Sequence, residues 1–199
     1  GMGMVFKALD LETERDVALK VLPAGVLTEG ATARFLRECQ TLSMLSHPGI
    51  VSYVAHGEVT QGQPFLAMEW LEGETLAPRL ARQRLTLEEA LTLLRQTATA
   101  LSAAHERGII HRDIKPSNIF LRDGKLESAT LIDFGIAHGV LGRAVYRLTH
   151  PGAMLGSPDY LSPEQARGTQ DITPSTDIFS LGCVVYQCLV GHTPFSGDH

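Results

Sequence analysis

The stretch His111-Arg112-Asp113-Ile114-Lys115-Pro116-Ser117-Asn118 cannot run as a helix, because Pro116 lacks an N–H and collides with a preceding helical turn. It follows a long amphipathic segment and Gly108, so it is expected on a loop just past a helix end. So polar a loop holds one shape only if the rest of the chain supports it. Asp113 can accept a proton from an incoming hydroxyl, and Lys115 can neutralise a phosphate oxygen. Asn118 can offer its amide oxygen to a hard cation. Further on, Asp133-Phe134-Gly135 follows the apolar pair Leu131 and Ile132, which reads as a short buried strand, and Asp133 supplies a second oxygen ligand.

Bulk properties narrow the field. The chain has 199 residues, 44% of them hydrophobic, enough to bury a core. A net charge of −5 gives no reason to expect nucleic-acid or membrane-surface binding. No apolar run approaches the roughly 18 residues of a membrane span, and no signal peptide opens the chain. Cys39, Cys183 and Cys188 are scattered through apolar segments and read as buried thiols of a reducing compartment, so a cytoplasmic location is expected.

His-Arg-Asp-x-Lys-Pro-x-Asn followed by Asp-Phe-Gly resembles the catalytic core of eukaryotic-like protein kinases, of the kind found in many bacteria. The resemblance implies an α+β bilobal fold. A small β-rich lobe with one key helix would occupy residues 1–70, and a mostly helical lobe residues 71–199, with a nucleotide cleft between them. The family pattern is incomplete at both ends: its first strand, the opening of its glycine-rich loop and its final helices have no counterpart here.

Further resemblances follow in chain order. Gly1-Met2-Gly3 and the β-like run after it fit the end of a glycine-rich hairpin, which implies a phosphate contact for Gly3 and a lid over the base for Val5. Asp16 to Leu22 alternates as a strand. The resemblance gives Ala18 to the adenine pocket and Lys20 to the α- and β-phosphates of ATP, paired with Glu38 on a helix expected over Thr32 to Leu45. Two strands are expected at Ile50 to His56 and Pro64 to Met68. Met68 would guard the back of the adenine pocket, the Glu69 carbonyl and Leu71 amide would bond the base edge, and Glu74 would reach the ribose. Trp70 reads as packing.

Thr86-Leu87-Glu88-Glu89 has capping-box form, and Leu91, Leu94, Ala98, Leu101 and Ala104 or His105 are the expected buried stripe of the helix that follows. His105 reads as structural. Ile119 to Leu121 and Leu126 to Ile132 are the arms of a hairpin, with Phe120 implied as the floor under adenine. The segment from Ile136 to Met154 has poor periodicity and ends in Gly-Ser-Pro-Asp-Tyr-Leu-Ser-Pro-Glu, which resembles the close of a kinase activation segment. Thr149 is a candidate phosphosite with Arg112 as its cationic partner. Asp177 is expected to cap a helix running from Thr176 to about Leu189 and, by resemblance, to bind the catalytic-loop backbone.

The activity implied is transfer of the ATP γ-phosphoryl group to Ser/Thr hydroxyls of proteins in bacterial signalling, with autophosphorylation in the activation segment. Asp113, Lys115 and Asn118 would be catalytic, and Asn118 and Asp133 would hold Mg²⁺, with Mn²⁺ as a substitute. Lys115, two residues after Asp113, resembles the serine/threonine type. Two alternatives stand against this. A small-molecule phosphotransferase shares the Asp…Asn…Asp set but lacks Lys115-Pro116 and the Ser-Pro-Glu close. A pseudokinase scaffold is opposed by the intact Lys20, Glu38, Asp113, Asn118 and Asp133. With an open phosphate loop, this stretch alone is expected to be weakly active or inactive while the complete protein is active.

Overall fold

The computed structural model describes residues 4–22, 35–36, 39–59, 63–134, 158–169 and 171–195. Gly3, Glu38, Gly135, Thr149 and Ser157 lie outside these. The described residues gather in two units: those up to His47 with Val51–Leu71 form the first, and Pro48–Ile50 with those from Glu72 onward form the second.

Alternation builds the first unit. Strands β1 (Met4–Asp10), β2 (Arg15–Val21), β3 (Tyr53–Val59) and β4 (Gln63–Glu69) form an antiparallel sheet in the order β1-β2-β4-β3. Asp10 sets the first turn: its carboxylate accepts from Glu12 N at 3.1 Å and Thr13 Oγ1 at 2.6 Å. Ladder partners share a face, and so do residues two apart on one strand. Val5, Lys20 and Leu66 are in register, as are Lys7, Ala18 and Met68, so all six lie on one face. Leu66 and Met68 pack there with Leu22, Phe35 and Cys39 in a buried cluster. Described residues 35–36 and 39–42 are helical. This helix stops before Leu45, short of the expected end, because Met44 N and Leu45 N bond three residues back, to Thr41 O and Leu42 O.

β3 begins at Tyr53, three residues later than the expected strand. Ile50 instead bridges Leu131 in parallel within the second unit, where Leu131 N also bonds Gly49 O at 2.8 Å.

The second unit contains a small sheet, β5 (Gly73–Thr75), β6 (Ile119–Arg122) and β7 (Ala129–Leu131), in sequence order. The return arm of the hairpin is shorter than expected, because Leu126–Ser128 forms a 3₁₀ turn. Four helices are described here: α1 (Leu76–Arg82), α2 (Leu87–His105), α3 (Pro163–Ala166) and α4 (Pro174–Val190). Thr86 and Glu89 close the capping box that starts α2.

Over its first three turns the buried face of α2 is one residue away from the expected one, while Leu101 and Ala104 are buried as expected. Ala90, Leu93, Thr97, Ala100, Leu101 and Ala104 are buried, while Leu91 is 51% exposed. Leu93 and Leu101 are fully buried, each contributing roughly 1.5–3 kcal/mol. Helix α4 starts before Asp177, with Thr173 at its N-cap and Pro174 in its first turn, so Asp177 sits inside the helix and does not cap it. All three cysteines are buried free thiols, and burial pushes Cys188 up to about 12.

Candidate active site

The second unit builds its polar centre where α2 ends. Gly108, at φ +72°, reverses the chain, and Ile109 N returns to Ala104 O at 3.0 Å. The next turn is held by Asp177, a fully buried carboxylate on α4. Its Oδ2 accepts from His111 N at 2.8 Å and lies 2.7 Å from His105 Nε2, and its Oδ1 accepts from Arg112 N at 2.8 Å. These contacts offset the cost of burying the charge. His105 is therefore structural, as expected.

Arg112 adopts φ +67°, a left-handed conformation that side chains rarely take. It is pinned on both sides, because its carbonyl accepts from Gln165 Nε2 at 2.8 Å. Gln165 is a member of the site that the sequence motifs did not single out. Its signature was present, since Ser162-x-x-Gln165 is a capping box and Gln165 Oε1 closes it on Ser162 N.

His111 is the hub of the loop. Burial pushes its imidazole below the ordinary range, against the pull of Asp177 and Asp113, and so keeps it neutral. Nε2 donates to Ile132 O at 3.0 Å, Nδ1 accepts from Asp113 N at 3.3 Å, and the ring packs on Phe134 with centroids 4.5 Å apart. Ile132 N in turn bonds Asn118 O at 3.0 Å. Both backbone groups of Ile132 are thus tied to the loop, and Asp133 follows at φ +55°.

Around Asp113, Lys115 Nζ lies 2.8 Å from Oδ2. Asn118 Nδ2 donates to the same oxygen at 2.8 Å and to Asp113 O at 2.7 Å. Asn118 spends its amide nitrogen on Asp113, so its amide oxygen is the group it can offer a cation. That oxygen and the Asp133 carboxylate are hard oxygen donors of the kind a divalent cation accepts. Among the described residues no cluster of three or more His, Cys, Asp or Glu could hold a metal.

In the first unit, Val5, Ala18, Lys20 and Met68 share the sheet face described above. Glu69 is clipped to Ser52, its N–H donating to Ser52 O at 2.9 Å and its Oε1 accepting from Ser52 N at 2.7 Å. Trp70 packs under the Lys7 ammonium, 5.0 Å from the ring centre. Glu74, in the second unit, is engaged by Arg82 through both carboxylate oxygens, which competes with the ribose contact the resemblance implied. Phe120 is half-buried on β6, opposite Thr75 and Thr130.

Known proteins resemble this chain along its whole length. The protein kinase domain model matches residues 1–199, and the chain belongs to the protein kinase family. Its curated relatives are bacterial serine/threonine kinases. The chain is 42% identical to serine/threonine-protein kinase pkn2 of Myxococcus xanthus over 99% of its length, and 40% identical to PknA of Mycobacterium tuberculosis over all of it. It spans 24% and 46% of those two proteins. Among solved structures it resembles Rad53 1-466 in complex with AMP-PNP (TM-score 0.79, 29% identity, all of this chain and 47% of that one). It also resembles the PknI kinase domain of M. tuberculosis (TM-score 0.78, 29% identity, all of this chain and 71% of that one).

Proposed function

We propose that the chain is the catalytic portion of a serine/threonine protein kinase that transfers the γ-phosphoryl group of ATP to a protein hydroxyl. The observation that supports this most is the Asp113–Lys115–Asn118 cluster on a loop whose backbone is fixed by Asp177. The acceptor hydroxyl oxygen attacks phosphorus, the bond from phosphorus to the bridging oxygen breaks, ADP departs, and the hydroxyl proton passes to the Asp113 carboxylate. Lys115 offsets charge on the transferring group. Mg²⁺, held by Asn118 and Asp133, supplies electrostatic stabilisation of the phosphates when bound.

On the nucleotide side, Lys20 takes phosphate oxygens with Glu38 as its partner. By resemblance, Gly3 has a phosphate-contact role, and Val5, Ala18, Met68, Glu69, Leu71 and Phe120 have adenine-pocket roles. The similarity to Rad53, whose structure is a complex with AMP-PNP, supports a nucleoside triphosphate as ligand. Arg112 Nε is buried without a hydrogen-bond partner among the described residues, which favours it as the receiver of a phosphate on Thr149. A signalling role in a reducing cytoplasm completes the proposal. No helix among the described residues is long and apolar enough to cross a membrane.

The test is labelled-phosphate transfer from ATP with Mg²⁺ to a protein acceptor by the wild type, Asp113→Asn and Asp133→Ala. The variants should lose at least about 100-fold, because this catalysis is mostly positioning and electrostatics. Equal transfer by Asp113→Asn would sink the proposal. Mass spectrometry of the same samples tests Thr149.

A further inference from the structure

A cavity of about 360 Å³ opens in the second unit beside the catalytic loop, between α1, the Pro158–Tyr160 turn and the end of α4. Its polar lining consists of Arg84, Lys115, Ser117, Tyr160 and Gln187; among the described residues lining it there is no carboxylate. Tyr160 is held protonated, its phenol pushed up to about 12 by burial. Its O–H donates to Gln187 Oε1 at 2.6 Å, which leaves Gln187 its amide N–H groups to offer. Arg84, Gln187 and Ser117 thus bring donors to one space, Arg84 with a charge of its own, while the Lys115 ammonium beside them is paired with Asp113.

The Arg84 guanidinium lies over Gly191, the left-handed cap of α4. A Cβ on Gly191 would stand 2.5 Å from Arg84 Nε and 3.2 Å from its Nη2, so the bare glycine is what admits the guanidinium. No carboxylate pairs with Arg84 among the described residues.

We infer that this cavity is a specificity subsite that receives an anionic side chain of the acceptor protein, a few residues from the hydroxyl that is phosphorylated. The inference deepens the kinase reading and rests on it. Lys115 joins the two places, because it lines the cavity and its ammonium touches the Asp113 carboxylate. The overall charge of −5 works the other way. A long-range field of that sign favours basic peptides, so preference for an acidic one must come from this local arrangement.

The experiment measures fluorescence anisotropy of labelled serine peptides with the full chain. Each peptide carries one Glu, Gln, Arg or phosphoserine, scanned across the four positions on either side of the serine. At one position Glu should bind roughly two- to fivefold tighter than Gln, the range of a partly exposed ion pair. Arg84→Glu combined with Gln187→Glu should reverse the order in favour of Arg. A melting curve checks that this variant is folded, and Arg84→Met, which adds no charge, should abolish the preference if it is not. Phosphoserine compared with Glu at the same position tells whether the natural group is phosphorylated or acidic, and tighter binding of either over Gln supports the subsite. Equal binding of Glu, Gln and phosphoserine peptides at every position, or a preference unchanged in Arg84→Met, overturns it. Absence of phosphate transfer to any peptide by the complete protein would defeat the kinase reading instead, while anisotropy still reads the cavity.

Discussion

Asp177→Asn should loosen the catalytic loop without unfolding the protein. The carboxylate offers two oxygens to Arg112 N, His111 N and His105 Nε2. An amide has one oxygen and an NH₂ group that cannot accept. If the oxygen stays on the side of His105 and His111, Arg112 N loses its acceptor and meets a donor, and the other two bonds lose their charge assistance. One charge-assisted bond is worth roughly 1.5–3 kcal/mol, and halving two more brings the loss to about 3–6 kcal/mol. Most of that range lies below the roughly 5–15 kcal/mol that holds a domain together. At about 2–4 °C per kcal/mol for a chain of this size, melting followed by circular dichroism should fall by roughly 6–24 °C. Phosphate transfer should fall further than stability predicts, because Arg112 no longer has a reason to stay at φ +67° and Asp113 turns with it. His105→Ala leaves the carboxylate two backbone donors and should cost only about 1–2 kcal/mol. An Asn variant that melts within about 2 °C of wild type with undiminished transfer would refute the reasoning.

Other outcomes follow from the same geometry. The folded pKa of His111 is depressed below 6.5, so the unfolded chain takes up a proton first as pH falls. Stability should be full above pH 6.5 and decline below it, approaching about 1.4 kcal/mol per pH unit, until the folded form also binds the proton. His111→Gln, which cannot titrate, should flatten that share of the pH–melting profile. Asn118→Ala should lower kcat at least about 100-fold with little change in melting. Gly73→Ala would bring a Cβ to 2.1 Å from Leu121 O at a φ of +135°, and a loss of more than about 3 kcal/mol in urea unfolding is expected. Gln165→Met keeps the volume but removes the donor to Arg112 O; it should reduce kcat more than KM, and Gln165→Asn should not restore it, because its side chain is one methylene shorter.

What the sequence disclosed depended on how local the cause was. The catalytic loop, the capping box at Thr86 and the β2 strand are written in adjacent residues, and the structure places them within a residue or so of the reading. The α2 face was misread because two apolar stripes compete on that helix, and a buried Thr97 disguises the one that packs. The start of α4 carried a local signal, Thr173 before Pro174, that the polar Asp177 outweighed. The bond from Gln165 to Arg112 O, across 53 positions, and the left-handed backbones of Arg112 and Asp133 had no local sign. They arise from tertiary contacts that a linear pattern does not carry.

The pairing of Lys20 with Val5 and Leu66 has a consequence for how this chain can change over generations. A strand presents alternate residues to opposite sides, so deleting or inserting a single residue between Arg15 and Lys20 would turn the ammonium over to the side of Val17 and Leu19. Length drift is therefore tolerable in the turn after Asp10, where nothing downstream is inverted, and ruinous a few positions later. A lineage that keeps the strand length while varying the turn keeps the Lys20 amine on the face it shares with Leu66 and Met68.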